Sequence, residues 1–128
     1  MSFVDVLRNK TDFIGANGRS KEDILEAEKE LCIHFADDYY EYLERIGLAS
    51  VENHELTGLT KDPRLNVVAV TKEFRNMYGP DTVSWYVVED LGIDGLVIWQ
   101  DAEGKVYQTS FSSKSIKIAE SLEEYLAD

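Results

Sequence analysis

The sequence predicts an α+β fold in which helices pack around a mainly antiparallel sheet. Residues 82–111 contain three runs of β-branched and aromatic residues separated by turn residues, which is the pattern of a strand meander. Segments 20–32, 37–47 and 66–79 instead repeat apolar residues at helical spacing. A chain of 128 residues fits one domain, and no repeat or linker divides it. We therefore expect a single domain over residues 1–128.

Capping residues and apolar spacing place the first two helices. Residues 2–8 are predicted to form a short helix capped by its serine, with an apolar face of Phe3, Val6 and Leu7. The polar, glycine-containing segment 11–19 is typical of a loop. Ser20 and Asp23 form an approximate capping box for a helix that ends near Cys32. Its buried face is predicted to contain Ile24, Ala27 and Leu31.

The clearest helical pattern follows Asp37. Its apolar positions recur at i, i+3, i+4 and i+7, and they are Tyr39, Tyr42, Leu43 and Ile46. Gly47 can supply the left-handed residue that ends this helix. Because the connection to the preceding helix is short, the two should form a helical hairpin with Phe35 at its base. A further helix is predicted from Asn66 to Gly79, and its apolar stripe contains Val67, Val70, Phe74 and Met77.

The remaining elements are strands and a closing helix. Residues 51–59 are predicted to contribute an edge strand. Residues 96–100 and 105–109 should pair as an antiparallel hairpin, because the turn between them fits type I with Gly104 in the left-handed position. Residues 115–118 alternate polar and apolar side chains and predict one more strand. Ser121 and Glu124 form a second capping box, which predicts a closing helix. This helix should dock on the rest of the domain through Leu122, Tyr125 and Leu126.

The composition is acidic, with 25 Asp and Glu against 13 Lys and Arg and a formal net charge of −12. This balance disfavours direct binding to nucleic acid or to an anionic membrane, and it favours a basic protein partner. Acidity can also serve solubility alone. The single cysteine, Cys32, excludes an internal disulfide and a cysteine-based zinc site. No apolar run approaches the ~20 residues that span a bilayer, so we expect a cytoplasmic protein.

Two groups of carboxylates are candidate partner-binding residues. No basic residue lies between Arg75 and Lys105, and the acids there fall mostly at strand ends and turns, where they should cluster: Asp81, Glu89, Asp90, Asp94, Asp101 and Glu103. All of these except Asp81 are candidates, together with a second group on the helix after residue 36: Asp37, Asp38, Glu41 and Glu44. Helix capping or dipole compensation accounts for at least one of Asp37 and Asp38 without a partner, and a turn accounts for Asp101. For the others, solvation and partner binding are equally good explanations.

No residue pattern predicts catalysis. His34 and His54 have no neighbouring metal ligands in the sequence, and structural or surface roles explain both better than ligation or base catalysis. No nucleophile-elbow motif selects a serine, and abundant carboxylates are weak evidence for glycosidase chemistry. Trp85 and Trp99 lie in apolar runs and are expected in the core. We therefore expect a protein that is not an enzyme and that binds no metal or cofactor.

The order of the motifs resembles the SUKH superfamily. The matching segments are an acidic helix, an aromatic turn and helix, three strand motifs and a closing helix, at residues 24–31, 35–43, 85–89, 94–101, 103–107 and 118–126. The resemblance implies an α+β domain that acts most often as a bacterial immunity protein, neutralising a secreted polymorphic toxin that is frequently a nuclease. The superfamily also includes non-catalytic interaction modules of the cell-wall regulator type, which are the alternative function. The implied partner is a cognate toxin with a basic surface, and the resemblance implies no catalytic residue or cofactor. The oligomeric state stays open.

Overall fold

The computed structural model describes residues 2–111 and 115–127, and it has the predicted α+β architecture. In chain order the elements are α1 (Phe3–Arg8), β1 (Ile14–Gly15), α2 (Lys21–Leu31), α3 (Asp37–Arg45), β2 (Ala49–Val51), β3 (His54–Glu55), α4 (Val67–Tyr78), a 3-10 turn (Pro80–Thr82), β4 (Tyr86–Asp90), β5 (Val97–Gln100), β6 (Val106–Thr109), β7 (Ile116–Ala119) and α5 (Leu122–Tyr125). The strands form two antiparallel sheets, ordered β1-β2-β3 and β4-β5-β6-β7.

The two sheets are joined where β3 meets β4. Leu56 forms an antiparallel bridge with Glu89, and the Thr57 N–H donates to the Val88 carbonyl at 2.9 Å. In the larger sheet the meander prediction is confirmed, because β5 and β6 pair in the expected hairpin around Gly104, whose φ is 99°. Alternate residues of these strands therefore point to two opposite faces.

The first face of the larger sheet carries most of the core. Phe35 and Tyr39 pack there against Tyr86, and Tyr42 packs on Tyr39, with ring centroids about 5 Å apart along the cluster. Thr57 satisfies two of the buried phenols, since its hydroxyl lies 2.8 Å from the Tyr39 hydroxyl and its carbonyl accepts from the Tyr42 hydroxyl at 2.8 Å. Buried aromatic rings whose hydroxyls are all paired hold α3 rigidly on the sheet.

The second face is covered by α4 over only part of its width. Val70 of α4 packs on Val87, Val97 and the fully buried Trp99. The Trp99 indole N–H donates to the Thr109 hydroxyl at 2.8 Å, which satisfies its polar atom inside the core. The Trp99 prediction is confirmed. Trp85 is only half-buried and packs against this cluster from outside it.

Three predicted details are wrong. Segment 11–19 contains the short strand β1, and its two residues are too few to show a strand period. The expected edge strand at 51–59 is instead the end of β2 and all of β3, paired as a hairpin. Met77 is 58% exposed, because it falls outside the α4 stripe, and the half-buried neighbour Tyr78 packs against the core in its place. A fourth correction concerns α1, where Val4 is buried together with Phe3 and Leu7, and the predicted Val6 is only half-buried.

The buried phenols make the stability of the fold sensitive to alkali. Burial raises the pKa of five of the seven tyrosines above the ordinary 10.0, namely Tyr39, Tyr42, Tyr78, Tyr86 and Tyr107. The folded state therefore keeps protons that the unfolded chain loses, and the free energy of unfolding should fall as pH rises above 10. In an ultraviolet titration, most phenolate absorbance should appear together with the loss of circular dichroism. Ionisation of all seven tyrosines near pH 10 with the fold intact would contradict this.

Candidate partner-binding surface

Asp38 connects three elements and has a structural role. Its carboxylate accepts a hydrogen bond from the Gln100 side chain at 3.0 Å and from the Leu122 N–H at 3.2 Å. Gln100 is fully buried and also donates to the Gly104 carbonyl at 3.0 Å. Burial raises the pKa of Asp38, and these hydrogen bonds oppose the rise. The residue thus holds the start of α3 against β5 and the start of α5.

The capping explanation for this pair of aspartates needs a correction. The N-cap of α3 is Ala36, which makes no side-chain cap hydrogen bond, and Asp37 and Asp38 occupy the first turn instead. Their charges compensate the helix dipole. Asp37 is exposed, whereas Asp38 is turned towards the sheet.

Alanine substitutions at Asp37 and Asp38 separate the charge effect on the helix dipole from the hydrogen bonds that connect α3 to β5 and α5. Asp38→Ala should lower the free energy of unfolding by about 2 kcal/mol, because the buried Gln100 amide and the Leu122 N–H each lose an acceptor. Asp37→Ala is the matched control, and it should cost no more than about 0.5 kcal/mol through the helix dipole. Urea unfolding of both variants measures the difference. Equal losses would show that Asp38 does not connect α3 to β5 and α5.

Three of the predicted carboxylates, Asp37 and Asp38 from the second group and Glu103 from the first, meet in one hollow on the surface, with a volume of about 380 Å³. It lies between the start of α3, the β5–β6 turn and the start of α5, and its lining residues are Ala36, Asp37, Asp38, Ala102, Glu103, Gly104, Glu120 and Ser121. Asp37, Glu103 and Glu120 are exposed. Glu120 was not among the candidates, because it is distant from both groups in the sequence. We call this site the acidic hollow.

The α3 carboxylates extend the acidic hollow along the helix. Asp37, Glu41 and Glu44 follow the i, i+4, i+7 spacing of one helical face. Glu41 and Glu44 are half-exposed, and Arg45 lies 3.4 Å from Glu41 as an ion pair. This ion pair is neutral as a whole, so the net negative charge of this helical face comes from Asp37 and Glu44.

Glu89 does not belong to this surface. It is 2% exposed, and one carboxylate oxygen lies 2.8 Å from His54 Nδ1 and 2.6 Å from the Tyr125 hydroxyl. The other oxygen accepts from the Glu55 N–H at 3.2 Å. The register of β4 against β5 shifts next to Glu89, so the alternation that would expose it is broken. The expectation that Glu89 is a surface carboxylate is therefore wrong.

The acids between Arg75 and Lys105 do not form a single cluster, which also corrects the prediction. Asp90 and Asp94 lie at the β4–β5 connection, whereas Asp101 and Glu103 lie in the β5–β6 turn. These positions are separated by the length of β5, about 13 Å for a strand of this size. Asp101 has the predicted turn role, since it accepts hydrogen bonds from two backbone N–H groups and from the Tyr107 hydroxyl.

Comparison with known families agrees with this architecture. A family model, SUKH_5, described as SMI1-KNR4 cell-wall, matches residues 2–128. The chain belongs to the SUKH family. No curated protein matches the sequence. The family resemblance drawn from the sequence motifs is thus confirmed for the fold and for family membership.

The histidines and carboxylates of this SUKH domain do not form a metal site in the described part of the chain. Across residues 2–111 and 115–127, no three His, Cys, Asp or Glu side chains are grouped so that they could hold a metal ion. In the same part of the chain, no helix has the length and apolar character needed to cross a membrane. His34 is exposed with Glu28 3.8 Å away, and His54 is bound to Glu89.

Proposed function

We propose that this SUKH protein is a cytoplasmic immunity protein that binds a basic protein toxin, a nuclease, and neutralises it without chemical modification. The observation that supports this most is the acidic hollow, in which α3, the β5–β6 turn and the start of α5 place carboxylates side by side. A nuclease binds phosphates with clustered Lys and Arg, so its active cleft presents the opposite charge. Complementary potentials raise association rates and suppress wrong partners.

The surface carboxylates divide into contacts and supports. Asp37, Glu41, Glu44 and Glu103 are accessible, and Glu120 joins them. Two lysines offset part of this charge, since Lys105 lies 3.7 Å from Glu103 and Lys117 pairs with Glu120. Asp37 and Asp38 form no ion pair with another residue that the structure describes, so the acidic hollow keeps a net negative charge. Asp38 and Glu89 instead hold the framework, and they act on binding only by positioning the elements that carry the contacts.

A second candidate function is a regulatory interaction module. The description of the matching family model, SMI1-KNR4 cell-wall, favours it. Such a protein would use the same acidic hollow for a basic partner that has no toxic activity. The two functions differ in the partner, so they require a test of toxicity and not only of binding.

Co-expression tests the immunity function directly. The product of the gene adjacent to this one in the source genome, if toxic when produced alone, should become harmless when this protein is co-produced, and the two should co-purify as a stoichiometric complex. A stable complex with an adjacent product that is harmless alone would favour the regulatory function. Neutralisation by far less than one equivalent of this protein would contradict a binding mechanism and indicate an enzyme.

A further inference from the structure

A continuous series of aromatic rings lies on the second face of the larger sheet. From one end, Phe111 stacks on Tyr78 with centroids 6.5 Å apart, and Tyr78 meets the edge of the buried Trp99 at 6.4 Å. Trp99 meets Trp85 at 6.3 Å, and Trp85 stacks on Tyr107 at 4.1 Å with 9° between the ring planes. Phe74 adjoins Tyr78 at 6.2 Å. We call the five rings around Trp99 the aromatic face: Phe74, Tyr78, Trp85, Tyr107 and Phe111.

The aromatic face is accessible because α4 covers only part of this side of the sheet. Phe111 is 72% exposed, and the other four rings are half-buried. A half-buried stack of this kind is unusual on a surface that has no partner, since large aromatic side chains gain most from complete burial. Trp and Tyr are also the residues most enriched at the centres of protein interfaces.

The rings are held in place before any partner binds. The Tyr78 hydroxyl donates to the Gly95 carbonyl, and the Tyr107 hydroxyl donates to Asp101 at 2.8 Å. The Arg75 guanidinium donates to the Trp85 carbonyl at 2.9 Å, which fixes the backbone that carries that ring. Side chains already fixed lose little conformational entropy on binding, so such a surface can bind tightly for its area.

Acidic residues lie at both ends of the aromatic face. At one end Asp101 and Glu103 surround Tyr107, where burial and then the Asp101 carboxylate raise the pKa of the phenol to about 12. At the other end Asp90 is close enough to Tyr78 to add to the rise that burial causes in the pKa of that phenol. Lys117 faces Tyr107 across the β6–β7 register, but it pairs with Glu120. Lys105 likewise lies 3.7 Å from Glu103. The aromatic centre is therefore flanked by Asp90 at one end and, at the other, by Asp101 and by carboxylates that are paired with lysines.

We propose that the aromatic face is the anchoring surface for the basic protein partner, and that arginine or lysine side chains of that partner lie on the Trp85 and Tyr107 rings. Cations bind the faces of aromatic rings, and the surrounding carboxylates pair with neighbouring basic residues. A second copy of this acidic chain is not the occupant, because its own acids would meet these acids. This inference rests on the proposed function in one respect only, which is that the basic partner is a toxin.

Two substitutions test the surface against a matched control. Phe111→Ser and Tyr107→Leu each remove a ring, whereas Ile14→Ser removes an apolar side chain of similar exposure, 70%, from β1 at the far edge of the smaller sheet. Urea unfolding confirms that each variant is folded. With the adjacent-gene toxin as the probe, each ring substitution should weaken binding at least about tenfold, and Ile14→Ser should not change it. Equal affinity of all the variants would overturn the inference while leaving the proposed function standing.

A second probe keeps the test independent of the toxin. A hexa-arginine peptide, with hexa-glutamate as its control, is titrated into the isotope-labelled wild-type protein. Nuclear magnetic resonance should show saturable shifts of the Trp85 indole N–H and of β6 amides with hexa-arginine alone, and Tyr107→Leu should abolish them. Shifts confined to the acidic hollow, or no saturable shifts at all, would overturn the inference even if no toxin complex is found.

Discussion

Replacing Glu89 with alanine should lower the free energy of unfolding by about 3 kcal/mol, because three donors lose their acceptor inside the protein. These donors are the His54 imidazole, the Tyr125 hydroxyl and the Glu55 N–H. The donors lie on β3 and α5, and Glu89 itself lies at the bridge that joins the two sheets, so the loss should destabilise the whole fold. Urea or thermal unfolding monitored by circular dichroism measures it.

Two variants make the Glu89 result specific. Asp90→Ala changes the neighbouring exposed carboxylate, which accepts a hydrogen bond from the Gly92 N–H at 2.9 Å, and should cost less than about 1 kcal/mol. Glu89→Gln keeps one acceptor oxygen and should lie between Glu89→Ala and the wild type. If Glu89→Ala were as stable as Asp90→Ala, the carboxylate would not be needed to join the sheets.

Reversing charge in the acidic hollow should slow association with the basic partner. In Asp37→Lys/Glu103→Lys two exposed carboxylates become cations, so the encounter rate at low salt should fall at least about tenfold and its salt dependence should weaken. The dissociation rate should change less, because the proposed aromatic anchors are intact. Stopped-flow association with the adjacent-gene toxin at several salt concentrations measures both rates.

The control for charge reversal is a second double variant that has the same net charge as Asp37→Lys/Glu103→Lys. Asp12→Lys/Glu26→Lys reverses two exposed acids outside the acidic hollow, and it should leave most of the association rate unchanged. If both double variants slowed association equally, total charge and not the acidic hollow would steer the partner. If neither slowed it, the acidic hollow would be excluded as the contact surface.

The helices were predicted well because their signals are local. Ser2, Ser20, Asn66 and Ser121 each accept a hydrogen bond from the backbone of the helix that they were predicted to begin. The α3 pattern also placed Tyr39 and Tyr42 in the core correctly. Capping and a 3.6-residue period operate within a few residues of one another, so both can be recognised in a single sequence.

The site was predicted less well because its signals are long-range. Glu89 looked like any strand-end acid, and only its packing against His54 and Tyr125 shows that it is buried. Glu120 lies far from Asp37 and Glu103 in the sequence, and only the fold brings the three together. No local pattern indicates which of two neighbouring carboxylates, Asp37 or Asp38, will turn inward.

The residues alone determined the fold class, the α3 core positions and the acidic character of this SUKH protein. These properties depend on composition and on neighbours in the chain, whereas the family was indicated by the resemblance of its ordered motifs. Tertiary structure decided which acids are buried, which meet in the acidic hollow, and that α4 leaves the rings from Phe74 to Phe111 accessible. The physical reason is that burial and surface charge depend on contacts between segments many residues apart, and a sequence pattern records only the contribution of each segment.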